Sequence, residues 1–248
     1  MQDLKISLIT VSFNAESTIS YCIESILRQK YPNLEYIIID GGSTDGTVRV
    51  IEKYKHHLSL FISEPDKGIY DAMNKGITLA TGDVVGLLNA DDFFADDTVL
   101  NAIADAFKKN DIDALYGDLN YINKAGRVIR KWRAGEFTSK SFNLGWMPPH
   151  PTLYCKRSLF EKLGLYSLNY GTAADYELML RYLYINKLKS YYIKKVMINM
   201  KTGGKSNKNL NNRVKGLFFD LKAMRTNGIL LPVLTLIIKP LRKIMQYF

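Results

Sequence analysis

Carboxylates cluster at or near the points where apolar runs of this chain give out. Asp40 follows Ile37-Ile38-Ile39 and precedes Gly41-Gly42, Asp66 lies shortly after Leu58 to Ser63, and Asp91-Asp92 follow Leu87-Leu88-Asn89-Ala90. Paired carboxylates behind an apolar strand suit a hard divalent cation, magnesium or manganese, which prefers oxygen ligands and bridges phosphate groups. Such an ion offsets the charge of a departing diphosphate. Asp40 beside two glycines suits contact with a base or a ribose, because backbone can approach closely there. A plainer reading stays open for each: Asp40, Ser43-Thr44-Asp45 and Asp91-Asp92 are also good turn and helix-cap residues.

The elements that must carry these groups follow from hydrophobic pattern. Lys5 to Ser12 and Leu34 to Asp40 read as strands buried on both faces. Between them Ser17 or Thr18 can cap a helix whose apolar positions Ile19, Cys22, Ile23, Ile26 and Leu27 recur at helical spacing. The pattern repeats with a helix carrying Val48, Ile51 and Tyr54, a strand from Leu58 to Ser63, a helix from Ile69 to Ala80 and a strand from Asp83 to Leu88. This alternation predicts a mostly parallel α/β sheet that binds ligands at the carboxyl ends of its strands. After a helix near Thr98 to Lys109 the rhythm changes. Ala114 to Asn123 and Arg127 to Trp132 read as a hairpin, residues 134 to 175 as loops and short helices, and Asp175 to Tyr184 as a helix.

Composition narrows the class. The 248 residues carry 34 Lys and Arg against 24 Asp and Glu, a net charge of +10 that favours anionic partners. Two distant cysteines, Cys22 and Cys155, and three histidines indicate neither a disulfide framework nor a structural zinc site, which fits a reducing cytoplasm. The start, Met1-Gln2-Asp3-Leu4-Lys5, lacks the pattern of a secretory signal. No run approaches the roughly 20 apolar residues of a spanning helix.

Taken together, SLITVSFNAEST, YIIIDGGSTDGT and SEPDKGIYDAMNKGITLATGDVVGLLNADD resemble the nucleotide-sugar-binding half of a family-two glycosyltransferase with a GT-A fold, over roughly residues 5 to 95. The resemblance implies a Rossmann-like sheet flanked by helices, a mixed α+β acceptor-side half and a helical C-terminal tail. Donor binding would occupy residues 1–110, acceptor binding and catalysis 111–200, and a linker with a basic amphipathic tail 201–248. It implies inverting transfer of a sugar from a nucleoside diphosphate donor, with a UDP-sugar expected, assisted by Mn or Mg. Thr10, Ser12 and Glu16 match the first-strand loop of the nucleotide pocket, and Asp40 matches a uracil-contacting carboxylate. Asp66 and Lys67 lie in the segment that closes over the nucleotide. The family's DXD motif falls on Asn89-Ala90-Asp91, leaving Asp91 as the principal anionic metal ligand. The family often places a Glu-Asp pair at the start of a helix in the second half; Ala174-Asp175 matches only the Asp, so Asp175 is the expected base. His150, in Met147-Pro148-Pro149-His150-Pro151, resembles the acceptor-side segment and is expected to touch the diphosphate or the metal shell, with Trp146 stacking on a sugar or packing.

From Arg213 onward, apolar residues at helical spacing alternate with Lys215, Lys222 and Arg225, followed by ILLPVLTLIIKPLRKIMQYF. Such a tail suits the interface of an anionic inner leaflet, near a polyprenyl-linked glycan acceptor of polysaccharide assembly. Packing on the catalytic domain or on a second subunit is the competing expectation. The tyrosines and lysines of residues 181 to 195 carry no nucleic-acid motif, and nucleic acid is not expected as a partner. Two other activities remain open at this level: a catalytically silent nucleotide-sugar-binding scaffold, and a sugar-phosphate nucleotidyltransferase. A dehydrogenase is disfavoured, since no GxGxxG follows the first strand.

Overall fold

Four apolar strands form the centre of the molecule. Ile6–Ser12 (β1), Leu34–Asp40 (β2), Leu60–Ser63 (β3) and Val84–Asn89 (β4) lie parallel in the spatial order β3-β2-β1-β4. In β1, β2 and β4 nearly every side chain is buried, as expected for strands covered on both faces. The chain runs outward from β1 through β2 to β3 and then returns to the other side of β1 as β4. The gap between the ends of β1 and β4 is therefore the topological switch point, where open α/β sheets bind ligands.

The computed structural model describes residues 4–138, 140–202 and 210–247. Two helices, Ile19–Leu27 (α1) and Val99–Lys109 (α4), cover one face of the sheet, burying Cys22, Ile23, Ile26, Leu100 and Ile103 against Leu8, Ile38 and Leu88. The other face, with Ile9, Val11, Ile37 and Ile39, receives Ile69–Leu79 (α3) through Met73 and Ile77. A short helix, Thr47–Glu52 (α2), follows β2.

Beyond β4 the sheet becomes mixed. Asp92–Phe94 (β5), Ala114–Ile122 (β6), Val128–Trp132 (β7), Tyr154–Lys156 (β8) and Ser190–Lys201 (β9) extend it, with β8 antiparallel to both β4 and β6 and β9 parallel to β6. The tiny β5 pairs antiparallel with β9, which fixes the turn after β4 to the far edge of the sheet. Arg157–Leu163 (α5) follows β8, and Ala174–Met179 (α6) continues as a π-helical segment, Leu180–Ile185. The single helix expected over Asp175 to Tyr184 is thus two helical types, its second part loosened where Arg181 reaches Glu177 and the carbonyls of Leu163, Gly164 and Leu165.

The linker expected from residue 201 onward falls partly outside the described residues, at 203–209. Leu210–Thr226 (α7) follows it and precedes Pro232–Ile244 (α8). The tail packs on the domain: α7 buries Ala223 and Met224, and Gly145 lies so close to Lys239 of α8 that a Cβ there would approach its backbone to 2.7 Å. No helix among the described residues is long and apolar enough to cross a membrane.

Candidate active site

Strand register places a row of polar side chains along one edge. Ser12 pairs with Asp40, Asp40 with Ser63, and Val11 with Asn89, so the four strand ends carry Ser63, Asp40, Ser12 and Asn89 side by side. The Asp40 carboxylate is 0% exposed and fully engaged. Its Oδ1 accepts from Ser12 Oγ at 2.8 Å and Ser43 Oγ at 2.5 Å, and its Oδ2 accepts from the Ser43 amide at 2.9 Å and Ser63 Oγ at 2.8 Å. Burial alone would raise this carboxyl, but the donors from Ser43, Ser63 and Ser12 outweigh it and hold the group below the usual carboxylate range. Asp40 therefore works as the knot of the β1, β2 and β3 loops, with its hydrogen-bonding positions filled from within.

The carboxylate nearer solvent here is Asp66. Its side chain stands where a side chain at position 41 would project, so Gly41 is what lets it in. Asp66 Oδ1 accepts the Gly68 amide at 2.7 Å, while Oδ2 turns toward Gly41. Lys67 is exposed beside it, its amide bonded to Asp71 at 3.0 Å. The sequence pattern points to Asp40 for base contact and to Asp66 for the segment that closes over the nucleotide; of the two, Asp40 is enclosed by its serine donors and Asp66 is the more exposed. The Gly at position 41 was the available signal.

The first-strand loop divides its labour. Thr10 is buried on the α1 face, its hydroxyl accepting from Tyr36 Oη at 3.2 Å and lying 3.9 Å from Cys22 Sγ, while its strand pairs on both sides with Ile38 and Leu88, so it supports the edge from beneath. Glu16 serves the loop after β2, accepting the Gly46 amide at 3.2 Å and lying 3.4 Å from Arg49. Asn14 completes this bracing, taking the Thr44 amide at 2.9 Å through Oδ1.

The turn after β4 is built differently. Asp92 is 1% exposed, yet only its Oδ2 is bonded, by Asn89 Nδ2 at 3.1 Å. Its Oδ1 and the Asn89 Oδ1 are buried without a partner among the described residues. Burial, followed by the neighbouring Asp91 charge, pushes the Asp92 carboxyl well above its ordinary value. Asp91 is half-buried between them. Two orphaned oxygens and two carboxylates in one turn fit a hard cation that keeps several waters and takes phosphate oxygens for its remaining positions. No group of three or more His, Cys, Asp or Glu among the described residues makes a fuller cage.

Asp175 stands at the start of α6, half-buried, with its Oδ1 accepting the Tyr176 amide at 2.8 Å. Around it lie Tyr70, whose phenol is raised by burial and then by the Asp175 charge, and His150, whose imidazole is lowered by burial with Asp175 opposing. Tyr70 Oη donates to the Thr172 carbonyl at 3.4 Å, in the turn that leads into α6. His150 Nε2 is 2.8 Å from Tyr166 Oη, and Tyr166 stacks on Tyr70 at 5.5 Å. Tyr70 is the second residue of α3, two residues after Gly68, so the Asp66 segment and the Asp175 helix meet through it. Neither Tyr70 nor Tyr166 stands out as a site residue in the sequence: Tyr70 falls within the SEPDKGIYDAMNKG block but reads as an ordinary helix residue there, and Tyr166 lies outside all three blocks. Trp146 is packed, its indole N–H donating to the Ala134 carbonyl at 2.7 Å and its ring enclosed by Tyr116, Phe137 and Phe142, leaving only an edge at a neighbouring cleft.

Comparison with known proteins gives one family. Residues 7–168 match the family described as Glycosyl transferase family 2. An uncharacterized glycosyltransferase of Mycobacterium tuberculosis is 34% identical over 186 residues, covering 71% of this chain and 68% of that protein. Two solved structures share the fold. Staphylococcus aureus TarS 1–349 in complex with UDP-GlcNAc superposes with a TM-score of 0.67 at 20% identity, over 89% of this chain and 67% of that one. The mannosyltransferase PcManGT from Pyrobaculum calidifontis, in complex with GDP-Man and Mn2+, gives 0.69 at 16% identity, over 96% and 73%. The sheet and its helices are thus those of a GT-A glycosyltransferase, and the chain belongs to glycosyl transferase family 2.

Proposed function

We propose that this glycosyltransferase transfers a sugar, with inversion, from a UDP-sugar to a lipid-linked glycan acceptor in polysaccharide biosynthesis. The observation that carries the reading is the switch-point edge, where a braced loop around Asp40 and Asp66 adjoins a turn whose buried oxygens lack partners among the described residues. Residues 1–110 hold the donor: Asp66 meets the base, Asp40 and Ser12 fix the loop that receives it, Glu16 braces that loop, Thr10 supports it from the α1 face, and Lys67 adds positive charge. Asn89 and Asp91, with Asp92 behind them, would hold Mn or Mg. The bound ion supplies neutralisation of the leaving diphosphate. The UDP-GlcNAc bound by TarS and the GDP-Man and Mn2+ bound by PcManGT support this type of donor and ion.

Residues 111–200 receive the acceptor. Asp175 takes the proton of the acceptor hydroxyl as that oxygen bonds to the anomeric carbon and the bond from sugar to diphosphate breaks. Attack from the side opposite the leaving group inverts the configuration. His150, kept neutral by burial and held by Tyr166, borders the reacting groups. Replacing Asp175 by Asn should leave UDP affinity within about twofold while lowering turnover ~10²–10⁴-fold; full transfer by that variant would remove Asp175 from the role.

Residues 201–248 serve as a peripheral anchor at the cytoplasmic face of the membrane. Helix α8 is inverted for a protein surface: Thr235 and Lys239 face inward and are buried, whereas Leu234, Ile237, Leu241 and Ile244 are exposed. An apolar outer face with Arg242 and Lys243 beside it suits the headgroup boundary of an anionic leaflet. Flotation with anionic vesicles of the intact chain and of one ending at Asn227 tests this, and equal binding of the two would exclude the anchor.

A further inference from the structure

A second concave site lies on the acceptor side. A cleft of about 390 Å³ opens between β7, the Gly145-Trp146-Met147 turn and α8. Five cations line it, Lys131, Arg133, Lys239, Arg242 and Lys243, and no carboxylate does. Two of them are answered from outside it, Lys239 by Asp220 at 2.9 Å and Arg133 by Asp118 at 3.6 Å. Among the described residues, Lys131, Arg242 and Lys243 have no carboxylate partner. Five cations share this one small cleft, so positive charge is crowded here; desolvation and then the charges of Lys239 and Arg130 lower the Lys243 ammonium, with Asp220 and Asp175 opposing. An anion in the cleft would relieve that crowding.

The cleft is tied to the candidate base. Lys239 Nζ sits 3.5 Å from the centre of the Tyr176 ring, one residue along from Asp175, and the Asp175 charge is felt at Lys243. Its outer wall is α8, whose exposed apolar row continues through Leu241 and Ile244 beside Arg242 and Lys243. A ligand that fits both features is anionic at one end and apolar at the other.

We propose that this cleft binds the phosphate or diphosphate group of a lipid-linked acceptor, with the lipid chain leaving along the apolar face of α8. The inference rests on the glycosyltransferase reading of Asp175 but concerns a different group of residues from the donor edge. It gives the acceptor hydroxyl a fixed distance from Asp175, because the anion anchors one end of the molecule.

Both tryptophans of the chain, Trp132 and Trp146, line the cleft, so their emission reports its occupancy. Farnesyl diphosphate, a short polyprenyl diphosphate, should change that emission saturably, and inorganic pyrophosphate should bind more weakly. Reversing two exposed charges, Lys131→Glu with Arg242→Glu, should weaken farnesyl diphosphate about 30-fold or more and leave UDP affinity, measured by calorimetry, unchanged. Unchanged farnesyl diphosphate binding in that variant would overturn the proposal. Loss of UDP binding alongside it would also overturn it, since the cleft would then serve the donor. Phosphatidylglycerol vesicles that bind the protein while farnesyl diphosphate does not would overturn it too, reassigning the cleft to bulk headgroups. Farnesyl diphosphate binding in a protein that fails to bind UDP would uphold the cleft and overturn the donor reading alone.

Discussion

Asp40 and Asp92 are both carboxylates buried beside the same sheet edge, yet their surroundings are opposite. Asp40 closes β2 and collects four hydrogen bonds from three serines, which hold its carboxyl low. Asp92 opens β5 and collects one, from Asn89, with an orphaned oxygen and a raised carboxyl. Burial costs each the same kind of desolvation, so the number of donors decides the sign. One region is electrostatically complete within the protein, and the other becomes complete only with a cation or a proton. The first is filled from within the protein, and the second is the turn proposed to be completed by a ligand.

Substitutions at the two regions should separate accordingly. The largest effect is expected at the open turn, where Asp91→Ala should reduce Mn-dependent UDP affinity more than about 10-fold and leave the melting temperature of the ligand-free protein nearly unchanged. Next come two matched changes read by thermal unfolding without metal. Asp40→Asn should destabilise by about 2 kcal/mol, since charge-assisted bonds to serine hydroxyls and an amide are lost, whereas Asp92→Asn should be neutral or stabilising because it removes a disfavoured buried charge. Equal destabilisation by both would erase the distinction between the two regions.

The effect confined to acid pH lies at the opposite end of the strands, in Glu35 of β2. Burial would raise it, but donors from Ser7, Thr81 and Lys5 outweigh burial and bring it from 4.5 down to about 2. A depressed carboxyl stabilises the fold above its unfolded value and loses that contribution as pH falls from about 4.5 through about 2. Glu35→Gln should flatten the acid limb of a pH-dependent unfolding series, and an unaltered limb would assign it to other groups.

Much of the proposed donor side is legible in the sequence because it is local. Apolar runs name β1, β2 and β4, and a carboxylate or amide at or near each end names the edge. What the sequence does not display is made by pairing over distance. Residues 92–94 form a strand only because β9 arrives beside them, which turns Asp92 from a turn residue into a buried one. Ser63 reads as an ordinary strand end until the register sets it against Asp40. Helical spacing in α8 shows an apolar face, and only tertiary contact shows that this face points outward while Lys239 is buried. The cationic cleft likewise joins residues 131–133 to 239–246, far apart in the chain.

The most direct measurement of the central claim is calorimetric titration of UDP with and without Mn2+, on the wild-type chain and on Asp91→Ala. UDP binding should strengthen with Mn2+ in the wild type and lose that enhancement in the variant. UDP binding that is indifferent to Mn2+ in both proteins would contradict the assignment of the Asn89 to Asp92 turn as the metal and diphosphate site.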